Sequence, residues 1–410
     1  MSGDFAELSK SIIDFLLLIL PIVGPFLLFY LLFQVWVEHR RREFLNKQEH
    51  ILLELVPPAD FKKSPASMEL FLNSLYNTSK EADWFEKYWE GGIRPWFSLE
   101  IASIEGRIHY YIWTRVAAIA QVESRLYAEF PGIEVIRQDK DYALAINPTE
   151  ENGQQVFGIE YKLGAPDPYP IRTYVDYGLD MNPDDEYKID PLTHVLEYLA
   201  NARKGEQFWL QIIIRAHAKE DPDPKKWFGT MSKWQEDAKS EIKKIQEESL
   251  VEVGEGEKRP NKTKGQDLKI ASLERSVSKL SFDTGIRMLY VAEKDNFTPV
   301  LIGGLVSIFR PFTAPESNQT IKLAWRTDVD YPWQDIRGKQ VAKMKKEILE
   351  AYKLRDYFWK NNWKGKPRKK FVLNTEELAT IFHFPGLLGQ PPSFQSVDSK
   401  KGSPPTNLPI

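Results

Sequence analysis

The chain has 410 residues, with 55 Lys and Arg against 58 Asp and Glu, and no cysteine. That length holds an anchor plus one large or a few small domains, and a net charge of −3 gives no global field for nucleic acid or for acidic substrates. The missing thiols exclude disulfides, thiolate zinc sites and cysteine nucleophiles and suit a reducing compartment, while 42% hydrophobic residues and 12 Trp are ample for filled cores.

Residues 11–37 read SIIDFLLLILPIVGPFLLFYLLFQVWV, and 15–33 carry no charge. At about 1.5 Å per residue that run covers roughly 30 Å, the hydrocarbon thickness of a bilayer. Pro21, Gly24 and Pro25 are tolerated in membrane helices, and Tyr30 and Trp36 stand where aromatic rings favour the headgroup layer. The basic cluster Arg40, Arg41 and Arg42 follows the apolar run, and a signal peptide has the opposite order. The expectation is a single-pass anchor in the cytoplasmic (inner) membrane, N-terminus outside and everything beyond residue 40 in the cytoplasm, with Trp36, Arg40, Arg41 and Arg42 at the membrane surface.

Residues 38–56 place Phe44, Ile51, Leu52 and Leu55 on one helical stripe, so a juxtamembrane helix is expected over 38–58, ended by Pro57 and Pro58. Ser64 and Pro65 open the next helix as N-cap and first position. The aromatic run WFEKYW (84–89) is expected to be buried under the next domain. Strands alternate over 96–103 and 107–114 around the turn at Glu105 and Gly106, an amphipathic helix occupies 116–130, and a strand begins at Ile133. Strand–strand–helix–strand is half or more of a ferredoxin-like sandwich. Strands are expected at 155–163 and near 171–175, and Asp190 and Pro191 cap a helix that leads to the strong strand 206–216. Charged helices at 231–250 and 267–280 flank a segment of linker composition, read as a mobile loop near 252–266. A strand at 282–292, a helix through Ile302 and Leu305, a strand at 321–325 and a long helix at 338–358 complete a rhythm that echoes 107–137.

The fold class predicted is therefore α+β: one N-terminal transmembrane helix, then ferredoxin-like units in two related halves. The domains expected are 1–37 (N-terminus and anchor), 38–58 (juxtamembrane helix), 59–180 and 181–383 (two α+β units), and 384–410 (a Pro-rich tail).

The sequence carries no Walker phosphate loop, no H-E-x-x-H, no EF-hand loop and no G-x-S-x-G, and its six histidines lack ligand spacing. No enzyme, cofactor or metal is expected. One patch interleaves charge with rings: Lys353, Arg355, Lys360, Lys364, Lys366, Arg368, Lys369 and Lys370 with Tyr357, Trp359 and Trp363. Phosphate neutralisation plus stacking is what single-stranded nucleic acid requires, and a docking face for an acidic partner needs the same charges.

Asn374, with Glu377 at the third helical position, forms a near capping box. The segment LNTEELATIFHFP (373–385) resembles the stretch just before the motor in conjugation-type ATPases of type IV secretion systems from small-genome bacteria. Residues 279–292 and 297–312 resemble the end of the α+β region preceding that motor, and 57–140 resemble a domain found beside such ATPases. The resemblance implies a membrane component of a secretion- or conjugation-like machine. Ile410 falls where the family's motor begins, so the RecA-type ATPase is expected on a separate polypeptide. Partners expected are the lipid bilayer, that ATPase and further copies of the chain; a membrane-tethered nucleic-acid binder is the alternative.

Overall fold

The structure, a computed structural model, describes residues 2–58, 63–79, 84–146, 153–180, 189–218, 233–252, 258–358 and 368–386. The chain divides into two compact units, Met1–Glu49 with Thr78–Pro95, and His50–Asn77 with Trp96–Ile410.

The smaller unit is built on helix α1 (Ser2–Asn46). Among the described residues its part Leu20–Asn46 is the one helix long and apolar enough to cross a membrane. Its apolar side chains face out, Phe26 and Phe29 being 74% and 71% exposed, the reverse of a core helix. Against it lies a short π-helical turn, Phe85–Glu90.

The larger unit is α+β. Strand β1 (His50–Val56) leads to helix α2 (Pro65–Ser74), whose N-cap Ser64 accepts from the Ala66 N–H at 3.3 Å. Then come β2 (Trp96–Ile104), β3 (Arg107–Arg115), α3 (Ile119–Glu129) and β4 (Glu134–Gln138). Glu105 and Gly106 both have positive φ, 52° and 86°, as the two-residue turn between β2 and β3 demands. The sheet order is β4-β1-β3-β2, all antiparallel, with connectivity βαββαβ: a complete ferredoxin-like half.

The same plan follows again. β5 (Gln154–Leu163), α4 (Pro191–Ala200) and β6 (Glu206–Ala216) are the first three elements, with Asp190 capping α4 through the Leu192 N–H at 2.9 Å. An excursion then carries α5 (Lys233–Glu248), a small hairpin of β7 (Leu250–Glu252) and β8 (Lys258–Pro260), and α6 (Lys264–Val277). β9 (Ser281–Glu293), α7 (Val300–Ser307) and β10 (Ile321–Arg326) close the half in the order β10-β5-β9-β6. Helix α8 (Lys339–Leu354), strand β11 (Phe371–Asn374) paired with β9, and helix α9 (Thr375–Ile381) complete the described chain.

The halves join through their equivalent strands, β2 and β6, antiparallel over nine residue pairs. The order β10-β5-β9-β6-β2-β3-β1-β4 reads identically from either end in terms of strand position, a pseudo-two-fold centred on the middle pair, Glu100 and Gln211. Leu99, Ile101, Leu210, Ile212, Ile286 and Met288 point to one face, which joins α2, α3, α4, α7 and α9 in a continuous core. On the other face α8 lies across β5. Its Ile348 meets Gly158, where a Cβ would come within 2.5 Å of Ile348 Cδ1.

Four expectations are corrected. The juxtamembrane helix stops at Asn46, and His50–Val56 is a strand between β3 and β4. Buried on both faces, it lacks the alternation that marks a strand. The second half begins with β5 rather than at 181, and in place of a strand near 171–175 residues 171–173 are irregular and 174–180 form turns, with Thr173 donating to Asp176. The run 84–89 is not covered: Trp84, Phe85 and Trp89 are more than half exposed. Of the loop near 252–266, residues 253–257 lie outside the described residues, while a Thr263–Gln266 capping box opens α6. The tail from 387 onward also lies outside them.

Candidate functional site

The face opposite the main core carries a polar system at the pseudo-two-fold. Glu100, fully buried on β2, accepts five hydrogen bonds: from Ser98 (2.6 Å), Gln211 (2.8 Å), Tyr142 (2.8 Å) and twice from Arg355 (3.0 and 3.1 Å). Arg355 ends α8 in the left-handed region, φ +50°, and its guanidinium also pairs with Asp141. Burial pushes the Glu100 carboxyl up, but Arg355's charge and hydrogen bonds, with those of Ser98 and Gln211, bring it below its ordinary range. Gln211 accepts from Arg287, whose guanidinium donates onward to Asp356 O at 2.9 Å. Burial lowers the Arg287 guanidinium to about 10. The Tyr142 ring stacks on Tyr111 at 4.9 Å, and its hydroxyl bonds Tyr352 of α8. This network fixes α8 to the junction of the two halves. Most of its polar atoms bond one another, while Arg287 Nη1 has no hydrogen-bond partner among the described residues.

A second concave site lies near the start of β9. A pocket of about 500 Å³ is lined by His217, Asp283, Asp167, Trp234, Lys233 and Lys370, among others. Asp283, fully buried, bonds Arg215 at 2.8 Å, Lys370 at 3.0 Å and His217 Nδ1 at 2.7 Å. Burial opposes its charge, yet the His217 hydrogen bond and the charges of Arg215 and Lys370 hold the carboxyl far below the carboxylate range. His217 is thereby oriented, and its Nε2 has no partner among the described residues. Burial raises the neighbouring Asp167, which accepts from the Val372 N–H at 3.0 Å. A carboxylate-oriented imidazole beside a raised carboxyl can hold or relay a proton. The described lining offers no Ser, Thr or Cys hydroxyl or thiol to act with it, and among the described residues no cluster has the makings of a metal site.

The motif at 373–385 is interior. Asn374 and Glu377 form a full capping box, and Glu377 also accepts from the Ile171 N–H at 2.9 Å. Burial raises the Glu377 carboxyl to about 8 against those two backbone bonds. Glu376 is bound by Thr173, by Lys279 at 3.0 Å and by Arg275 at 3.3 Å. Lys279 also pairs with Glu69 of α2 at 2.7 Å. His383 meets the Asp190 carboxylate, Oδ2, through Nε2 at 2.9 Å and the Ala379 carbonyl through Nδ1 at 2.9 Å. The motif therefore ties α2, α4, α6 and the 171–176 turn into one body.

The profile of a family described as Domain of unknown function (DUF8128) matches residues 35–390. The chain belongs to this family. No curated protein matches the chain. The DUF8128 region takes in the end of α1, the π-helical turn and every strand of the sheet.

Within the DUF8128 region the basic patch is dispersed. Arg355 is 1% exposed and held by Glu100 and Asp141, so it is withdrawn from any contact surface. Lys353 donates to Ile146 O, Arg368 pairs with Glu160, and Lys370 pairs with Asp283. Lys369 is exposed, and Tyr357 is buried on Gly285. Trp359, Lys360, Trp363, Lys364 and Lys366 lie outside the described residues. At the helix end, Arg40 pairs with Glu43 and Arg42 with Glu38, Arg41 is half-buried, and Trp36 is exposed with its ring 5.7 Å from Trp89. The His217–Asp283 pair escapes sequence reading because 66 residues separate its members and no local spacing marks it.

Proposed function

We propose that this DUF8128 protein is a membrane-anchored interaction platform: α1 crosses the cytoplasmic membrane, and the double ferredoxin-like body stands on its cytoplasmic side. In this reading the body docks a RecA-type ATPase of a secretion- or conjugation-like machine. The observation that carries the proposal is the outward-facing apolar helix in the same chain as a large folded α+β unit. The basic cluster after the apolar run supports the orientation by the positive-inside rule. The resemblance of 373–385 to the segment before such motors supports the choice of partner.

The test is purification of tagged full-length protein from its own membranes in mild detergent, followed by mass spectrometry. Reproducible recovery of an ATPase bearing a Walker phosphate loop, lost when the tagged protein is absent, is the expected result. Recovery of this chain alone at low salt would contradict the docking claim.

A further inference from the structure

The smaller unit holds aromatic surface that neither its fold nor the platform role uses. The π-helical turn Phe85–Glu90 rests on the end of α1: the Tyr88 ring lies 5.7 Å from Phe33, and the Trp89 ring 5.7 Å from Trp36. Arg40 Nε donates to Trp89 O at 2.8 Å, and its guanidinium sits 5.8 Å from the Trp36 ring. Gly91 then takes φ +71° directly against the Arg40 backbone, where a Cβ would collide. The turn is thus pinned at one height on one face of the helix, since Phe33, Trp36 and Arg40 recur at three- and four-residue spacing.

That height is set by chemistry. Phe33 is the last residue before the polar Gln34, and Arg40 opens the basic cluster. At about 1.5 Å per residue the two are roughly 10 Å apart along the axis, enough to span one headgroup layer of about 5–8 Å. At this level Trp84, Phe85 and Trp89 are 66%, 53% and 52% exposed, beside Glu86, Lys87 and Glu90. Exposed rings interleaved with charges are costly in water and favoured in the headgroup layer, where the ring meets acyl chain and the polar edge stays wet.

We infer that residues 84–90 form a second membrane contact: Trp84, Phe85 and Trp89 enter the headgroup layer of the bilayer that α1 crosses, and phospholipid is their ligand. The contact fixes the depth and rotation of α1 where the folded unit begins. This inference rests on the membrane-crossing reading of α1.

The chain has no cysteine, so single labels are placed without background. Full-length Leu27→Cys, Phe85→Cys and Trp84→Cys variants are labelled with a nitrobenzoxadiazole dye and reconstituted in phosphatidylcholine–phosphatidylglycerol nanodiscs. The dye coupled to free cysteine in buffer is the aqueous reference. The expected result is quenching of all three labels by lipids brominated high on the acyl chain, with iodide quenching at 84 and 85 cut about threefold from the reference. A label at 27 that is quenched by bromolipid, with labels at 84 and 85 as open to iodide as the reference, overturns the inference and leaves the anchor standing. Labels at 84 and 85 shielded from iodide but untouched by bromolipid also overturn it, since protein then covers them. Absence of bromolipid quenching at all three positions overturns the membrane-crossing reading itself.

Discussion

Replacing Arg355 with Met tests what holds α8 to the sheet. The substitution keeps chain length and apolar stem but removes the charge facing Glu100 and Asp141. Removing one partner of a buried pair leaves the other uncompensated, at a typical cost of about 3–5 kcal/mol. Glu100 keeps its bonds from Ser98, Gln211 and Tyr142, and Asp141 is partly open to water, so the lower figure of about 3 kcal/mol is expected here. The pH dependence should reverse as well. In the native protein Glu100 is lowered, so its contribution is present above the unfolded value of about 4.3 and is lost as pH falls through the folded value. Without Arg355, burial dominates and raises the carboxyl, so the folded state binds the extra proton and stability falls as pH rises from about 4.3. Urea unfolding of the full chain in mild detergent, followed by near-UV circular dichroism between pH 4.5 and 7.5, reads both effects. The double variant Glu100→Gln, Arg355→Met should recover about half the loss. A loss under about 1 kcal/mol with an unchanged slope would refute the reasoning.

Three further outcomes are expected. Glu377 is raised to about 8, so between about 4.3 and that value the folded chain keeps a proton that the unfolded chain releases, and stability falls with rising pH by up to about 1.4 kcal/mol per unit. Glu377→Gln keeps an acceptor and flattens that slope in urea titrations from pH 5 to 8; equal slopes would count against a neutral carboxyl. Gly285→Ala drives a methyl into the Tyr357 ring and should cost about 1–3 kcal/mol, read as a lowered urea midpoint. Asp190→Asn removes the charge facing His383 but keeps a capping oxygen, so the loss should be smaller than that of Asp190→Ala by about 1 kcal/mol.

Local signals carried much of the fold. The caps at Ser64, Asp190 and Asn374 form as their spacing indicates, because each is a contact within three residues. The hairpin at Glu105 and Gly106 and the amphipathic stripe of α3 are local in the same sense. What failed was non-local. HILLELV (50–56) fits a helical stripe, and only its place between β3 and β4, with buried Glu54 bound by His109 and Gln138, makes it a strand. The rhythm of elements marks two related halves, but the pairing of β2 with β6 joins residues over a hundred positions apart, so the junction between the halves leaves no local signal. Composition ranked Arg355 with its lysine neighbours, although it is the one that turns inward on Glu100. The rings at 84–89 have the composition of a buried cluster, yet Trp84, Phe85 and Trp89 are exposed because they sit on an apolar helix.

The most direct test of the account is the topology of the full chain. Single cysteines at Ser2 and Asp295, placed in the cysteine-free background, are exposed to a membrane-impermeant maleimide in intact cells and again after lysis. The account predicts that the cysteine at 2 is labelled in intact cells, that the one at 295 is labelled only after lysis, and that the protein stays with membranes through alkaline carbonate washing. Release of the chain by carbonate, or labelling of the cysteine at 295 in intact cells, would contradict a single-pass anchor with its folded body in the cytoplasm.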